Sequence, residues 1–225
     1  MNDEATEGED DEEPQEPRLR IVKGSPWTIT GGRRAKWSSE PFVEGHAVDV
    51  RQVGDPILHS PARRPRLARG ELEALIARMF ASMLVARGIG IAAPQIGVPL
   101  RVCIIDVEGA GIVAIDPVIE WTSEEVDEAS EGCLSVRGLY GYLERPVSAR
   151  LVATDPAGRR FAVEGDGVGA QCLLHETDHL DGVLYVDRLR SRADDLFPVE
   201  APGPGDAEPP LTGRRRAPAE VGPSA

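Results

Sequence analysis

Seven apolar residues, Leu72, Leu75, Ile76, Met79, Phe80, Met83 and Leu84, recur at i, i+3, i+4 and i+7, the spacing that gives a helix one core-facing stripe. Gly88 stands where a C-terminal glycine cap would end it. A loop, Gly88–Gln95, follows, and its two glycines let backbone come close to another chain. Val- and Ile-rich runs at Arg101–Val107 and Gly111–Ile115 predict strands. Ser148–Thr154 and Arg160–Glu164 flank Asp155-Pro156-Ala157-Gly158, so they predict a hairpin. A second helix is expected from about Asp166 to Leu180, with Gly182 beyond its end. Strands surrounding one buried helix predict an α+β domain with mainly antiparallel pairing.

Both ends break this pattern. Nine acids and no base lie in the first 16 residues, and they carry most of the formal net charge of −13. Such a block repels itself and has little to bury, so residues 1–44, which add Gly, Pro and Ser, are expected to be disordered apart from contacts by Trp27, Trp37 or Phe42. Residues 193–225, dominated by Pro, Gly and Ala, are expected to be disordered too. That leaves 45–192 as the folded part, the stretch that holds the candidate catalytic residues. The acidic balance disfavours nonspecific binding to nucleic acid, and Arg214-Arg215-Arg216 reads as a solvated cluster, so no specific nucleic-acid site is expected. Three cysteines are too few for a disulfide framework, and neither a secretory signal nor a membrane-length apolar run is evident. A cytoplasmic protein with no membrane partner is the expectation.

The second helix carries the chemistry. His175-Glu176-Thr177-Asp178-His179 places two imidazoles four residues apart, on one helical face, with Glu176 beside them as a carboxylate outside the ligand set. This layout suits metal-assisted hydrolysis. A third ligand is harder to find, because no His follows His179 and most later acids fall in the Pro-rich tail. Upstream, Cys133 in Glu131-Gly132-Cys133-Leu134-Ser135 sits in a short, turn-like run. It is either the thiolate that leaves a tetrahedral site open for water or a buried free thiol, and the residues alone leave both readings open. Val168 and Cys172, seven and three residues before His175, share its face and could line an apolar pocket edged by Gln171.

Taken in order, Gly88-Ile89-Gly90-Ile91-Ala92-Ala93-Pro94-Gln95, Glu131-Gly132-Cys133-Leu134-Ser135 and His175-Glu176-Thr177-Asp178-His179-Leu180 resemble the three signature motifs of peptide deformylases. The resemblance covers roughly residues 45 to 190. One departure is Leu174, where family members commonly carry Gln. The resemblance implies an α+β fold with mainly antiparallel strands around a central metal-binding helix. It also implies removal of the formyl group from N-formylmethionyl nascent peptides, with a transient ribosome contact compatible with that task.

Cys133, His175 and His179 would then hold Fe²⁺, for which Zn²⁺, Ni²⁺ or Co²⁺ could substitute. Glu176 would carry the proton, while the amide of Gln95 and the backbone N–H of Leu134 would steady the oxyanion. Ile89, Gly90 and Gly132 would flank an extended peptide, and Val168 and Cys172 would receive the methionine side chain. Asp178, costly if buried alone, would be paired with Arg145. Two rival readings are a zinc peptidase cutting internal amides, which lacks its downstream ligand, and a silent metal-stabilised binding module, which would have no use for Glu176 and Gln95.

Overall fold

The structure, a computed structural model, describes residues 18–23, 28–29, 46–107 and 111–199. Its larger sheet has seven strands, in the order β1 (Arg18–Lys23), β9 (Arg160–Asp166), β8 (Ser148–Thr154), β5 (Gly111–Thr122), β4 (Val102–Ile105) and β3 (Gly90–Ala92), with β2 (Thr28–Ile29) also paired to β5. A smaller sheet has the order β10 (Leu196–Pro198), β7 (Val136–Pro146), β6 (Val126–Cys133). All the strand pairs are antiparallel, as expected for an α+β fold.

The two helices read from the sequence cover opposite faces of the larger sheet. Helix α1 (Arg69–Val85) buries Leu75, Ile76, Met79, Phe80 and Met83 against Ile91, Val102, Ile104 and Val113. Helix α2 (Val168–Leu180) buries Ala170, Leu173 and Leu180 with Cys103, Ile105, Leu151, Phe161 and Val163. Strand β4 shows why this works: its side chains alternate between the two layers, and all four are buried. Gly165 on β9 lies so close to the start of α2 that a Cβ there would meet the Gly169 carbonyl carbon at 2.6 Å. That contact sets the helix tightly across the sheet.

Several sequence-based expectations are corrected. The strand expected at Arg101–Val107 is shorter, Val102–Ile105, and the one expected at Gly111–Ile115 continues to Thr122. Helix α2 begins at Val168, because β9 runs on to Asp166. The turn-like run around Cys133 is the end of a strand in a long hairpin, β6–β7. Within the termini expected to lack structure, β1 pairs with β9 and β10 pairs with β7, preceded by a single helical turn, α3 (Arg192–Asp195). Leu19 packs against the core under α2, and Arg20 donates to Glu164 at 2.6 Å. The remaining expectations for the two ends, including Trp27, Trp37 and Phe42, lie outside the described residues. Among the described residues no helix is long and apolar enough to cross a membrane.

Candidate active site

Three elements converge at one point. Strand β6 ends on Cys133, and the two-residue turn Leu134-Ser135 folds the chain back into β7, letting the Ser135 N–H donate to Cys133 Sγ at 3.3 Å. From α2, His179 Nε2 lies 3.2 Å from that sulfur, and the rings of His175 and His179 stand edge to face with centroids 4.9 Å apart. One donor atom each from Cys133, His175 and His179 falls within 4.8 Å of the others. The spatial meeting required by the sequence reading is therefore present.

Does this set suit a metal? A soft thiolate with two imidazoles is a three-donor set that leaves a tetrahedral cation one open position. His175 Nδ1 is turned to Glu131 Oε2 at 2.8 Å, which leaves Nε2 as its free ligating nitrogen. Burial would lower the proton affinity of His175, but Cys133 and Glu131 outweigh it and raise its pKa well above the ordinary value. The same negative field favours a cation in place of that proton. His179 goes the other way: burial, then the neighbouring His175, hold it well below its ordinary value and so in the neutral, ligating form. The residues fit a bound divalent metal.

Behind the ligands sits an ion network. Arg145 donates from Nε to Glu131 Oε1 at 2.7 Å and from Nη2 to Glu131 Oε2 at 3.1 Å, and its Nη1 reaches Asp178 Oδ2 at 2.8 Å. The expected Arg145–Asp178 pair is there. Arg188 adds two bonds to Asp178, at 2.6 and 2.5 Å. Burial would push Glu131 up, yet its bonds to His175 and Arg145 prevail and hold it at about 2. Glu131 and Arg188 join the site without having been expected there from the sequence, although Glu131 stands two positions before Cys133 in the Glu131–Ser135 motif.

Glu176 is 3% exposed, and its Oε2 has no hydrogen-bond partner among the described residues. Burial, partly offset by His175, pushes its carboxyl up to about 7. It presses on Gly90, where an added Cβ would overlap Glu176 Oε1. Gly90→Ala should therefore displace the carboxylate, costing about 1–3 kcal/mol through overpacking. Urea denaturation and turnover together check this, and a variant equal to wild type in both would refute the close approach.

Gln95 lies in a 3₁₀ turn, Ala93–Ile96, where its Oε1 accepts from the Ala92 N–H at 2.7 Å. Its Nε2 is thereby aimed at Ser135 Oγ, 3.2 Å, and Cys133 Sγ, 3.7 Å. A cavity of about 540 Å³, counting space open at its mouth, is lined by Ile89, Gly90, Gln95, Gly132, Cys133, Leu134, Val168, Gln171, Cys172, His175 and Glu176. Every candidate site residue from the sequence reaches it except His179, which is 1% exposed and lies behind. Leu174 instead packs against the core beneath α2.

An α+β domain with an open Cys-His-His donor set and, beside it, a buried carboxylate with one oxygen unpartnered among the described residues defines a metal-dependent hydrolase. The sequence matches the family model described as Polypeptide deformylase over residues 47–195. It is 39% identical over 152 residues to a peptide deformylase of Synechococcus sp. (strain CC9605), covering 65% of this chain and 76% of that one. A peptide deformylase of Acidothermus cellulolyticus is 43% identical over 140 residues, 62% of this chain and 77% of that one.

Among solved structures, a peptide deformylase from Synechococcus elongatus in complex with actinonin superposes with a TM-score of 0.63 at 40% identity, covering 65% of this chain and 80% of that one. A Met-Ala-Ser-bound class I type b peptide deformylase from Acinetobacter baumannii gives 0.60 at 30% identity, covering 64% and 98%. The chain belongs to the polypeptide deformylase family. It is an enzyme, a metal-dependent hydrolase that removes the formyl group from the N-terminal formyl-methionine of newly made polypeptides.

Proposed function

We propose that Glu176 is the proton carrier of this deformylation, that Cys133, His175 and His179 hold the metal, and that Gln95 and Leu134 receive the oxyanion. The observation that carries this reading is the unpartnered buried oxygen of Glu176, placed beside three convergent donors. A bound divalent cation supplies Lewis acidity and makes hydroxide available near neutral pH. Glu176 takes the proton of the attacking water and returns it to the departing amine. The Gln95 amide N–H and the backbone N–H of Leu134 donate to the oxygen that becomes negative.

The peptide lies extended between two sheet edges, β3 with Ile89 and Gly90 on one side and β6 with Gly132 on the other. Backbone pairing of that kind makes few demands on side chains beyond the first residue. Val168 and Cys172 line the cavity that takes the methionine side chain. The Acinetobacter baumannii relative is bound to Met-Ala-Ser, which supports a peptide substrate with methionine first. Residues 45–192 form the catalytic unit, working in the cytoplasm on chains that leave the ribosome, with which contact is transient.

Fe²⁺ is the native metal in this reading; Zn²⁺, Ni²⁺ and Co²⁺ fit the same donors. Formate release from formyl-Met-Ala-Ser by protein reconstituted with each metal tests it. Turnover should be higher with Fe²⁺, Ni²⁺ or Co²⁺ than with Zn²⁺. Equal turnover with zinc would refute the iron assignment, and absence of formate with every metal would refute the assignment of the site.

A further inference from the structure

Gln171 adds a neutral amide to the cavity beside Val168 and Cys172, at the place assigned to the methionine side chain; the other polar lining groups, Gln95, Glu131, His175 and Glu176, belong to the set already described. Gln171 is 5% exposed. Its Nε2 donates to the Ser130 carbonyl at 2.7 Å, and because a carbonyl can only accept, this bond fixes which end of the amide is nitrogen. One N–H of Gln171 remains, and its Oε1 takes no hydrogen bond from any described residue. The neighbouring thiol offers nothing more, since Cys172 directs its hydrogen to the Ile89 carbonyl at 3.8 Å. Among the other lining residues, Ile89, Leu134, Val168 and the glycines contribute no side-chain donor, and the Gln95 amide and His175 Nδ1 are engaged with Ser135 and Glu131.

A purely hydrocarbon pocket takes an unoxidised methionine well and penalises its sulfoxide, because a buried sulfoxide oxygen with no donor loses its hydrogen bonds to water. Here the spare Gln171 N–H can restore one. The geometry points to Gln171 as a specificity residue that extends this enzyme's substrates to peptides beginning with formyl-methionine sulfoxide. The inference rests on the cavity being the methionine site, as in the proposed function. No new chemistry is required: the amide is hydrolysed as before, and the sulfoxide is bound without being reduced.

The test compares formate release from formyl-Met-Ala-Ser and formyl-Met(sulfoxide)-Ala-Ser by the full-length metal-loaded protein, its Gln171→Met variant and its Gln171→Leu variant. The quantity read is kcat/KM for the sulfoxide peptide divided by kcat/KM for the methionine peptide, a ratio from which the fraction of active protein cancels even where a variant folds poorly. Wild type should process the sulfoxide within about tenfold of methionine, and each variant should lower the ratio by about tenfold, the factor one hydrogen bond to a buried acceptor is worth. A ratio unchanged by both substitutions would overturn the inference while leaving deformylation intact. Failure of wild type to release formate from either peptide would overturn the underlying reading as well.

Discussion

Glu176→Gln should keep the metal and lose at least about two to four orders of magnitude in formate release, the range that a positioned acid–base group contributes. The substitution is nearly isosteric, so the fit against Gly90 is preserved, while the amide can neither accept the water's proton nor return it to the amine. Ligation should survive because the donor set consists of Cys133, His175 and His179. Folding should not suffer either. A buried carboxylate with a partnerless oxygen is a cost in the native state, and a neutral amide reduces it. Formate release, metal content by mass spectrometry and thermal melting on one preparation check all three expectations. Retained metal with wild-type turnover would remove Glu176 from the mechanism.

How much of this was legible beforehand depended on whether local chemistry or tertiary pairing decides each element. The α1 stripe is legible because seven apolar residues at helical spacing face one layer of core, and the helix observed is Arg69–Val85. The β8–β9 hairpin was also readable: Asp155 Oδ1 accepts from the N–H groups of Ala157 and Arg159, a turn the sequence announces. The pairing of His175 and His179 on one helical face, with Glu176 beside them, is visible because residues four apart are neighbours on a helix.

The β6–β7 hairpin was invisible for a physical reason. Its buried positions include Ser130, Glu131 and Arg145, so the interior it faces is partly an ion network, and hydrophobic alternation fails as a signal. Strands β1 and β10 escaped as well. Each is an edge strand beside a charged or Pro-rich run, and pairing with β9 or β7, unlike propensity, is a long-range event.

That ion network is the basis for the largest expected change in stability. Arg145 is 6% exposed and is the cation between two acids, Glu131 at 2% and Asp178 at 8%. Arg145→Leu should therefore cost about 3–5 kcal/mol, as expected when one member of a buried ion group is removed and the others remain. The loss falls unevenly. Asp178 keeps both bonds from Arg188, whereas among the described residues Glu131 keeps only His175, the proposed ligand whose ring it orients. Metal affinity should fall by about 10–100-fold alongside stability, as when an outer partner of a ligating histidine is lost. Arg188→Ala offers the control, since its side chain is 44% exposed and its ion pair is screened by water, worth about 1 kcal/mol or less. Urea denaturation and metal titration of both variants separate the cases. An Arg145→Leu protein within about 0.5 kcal/mol of wild type, the range of ordinary surface substitutions, would show that Glu131 and Asp178 are held by something other than that guanidinium.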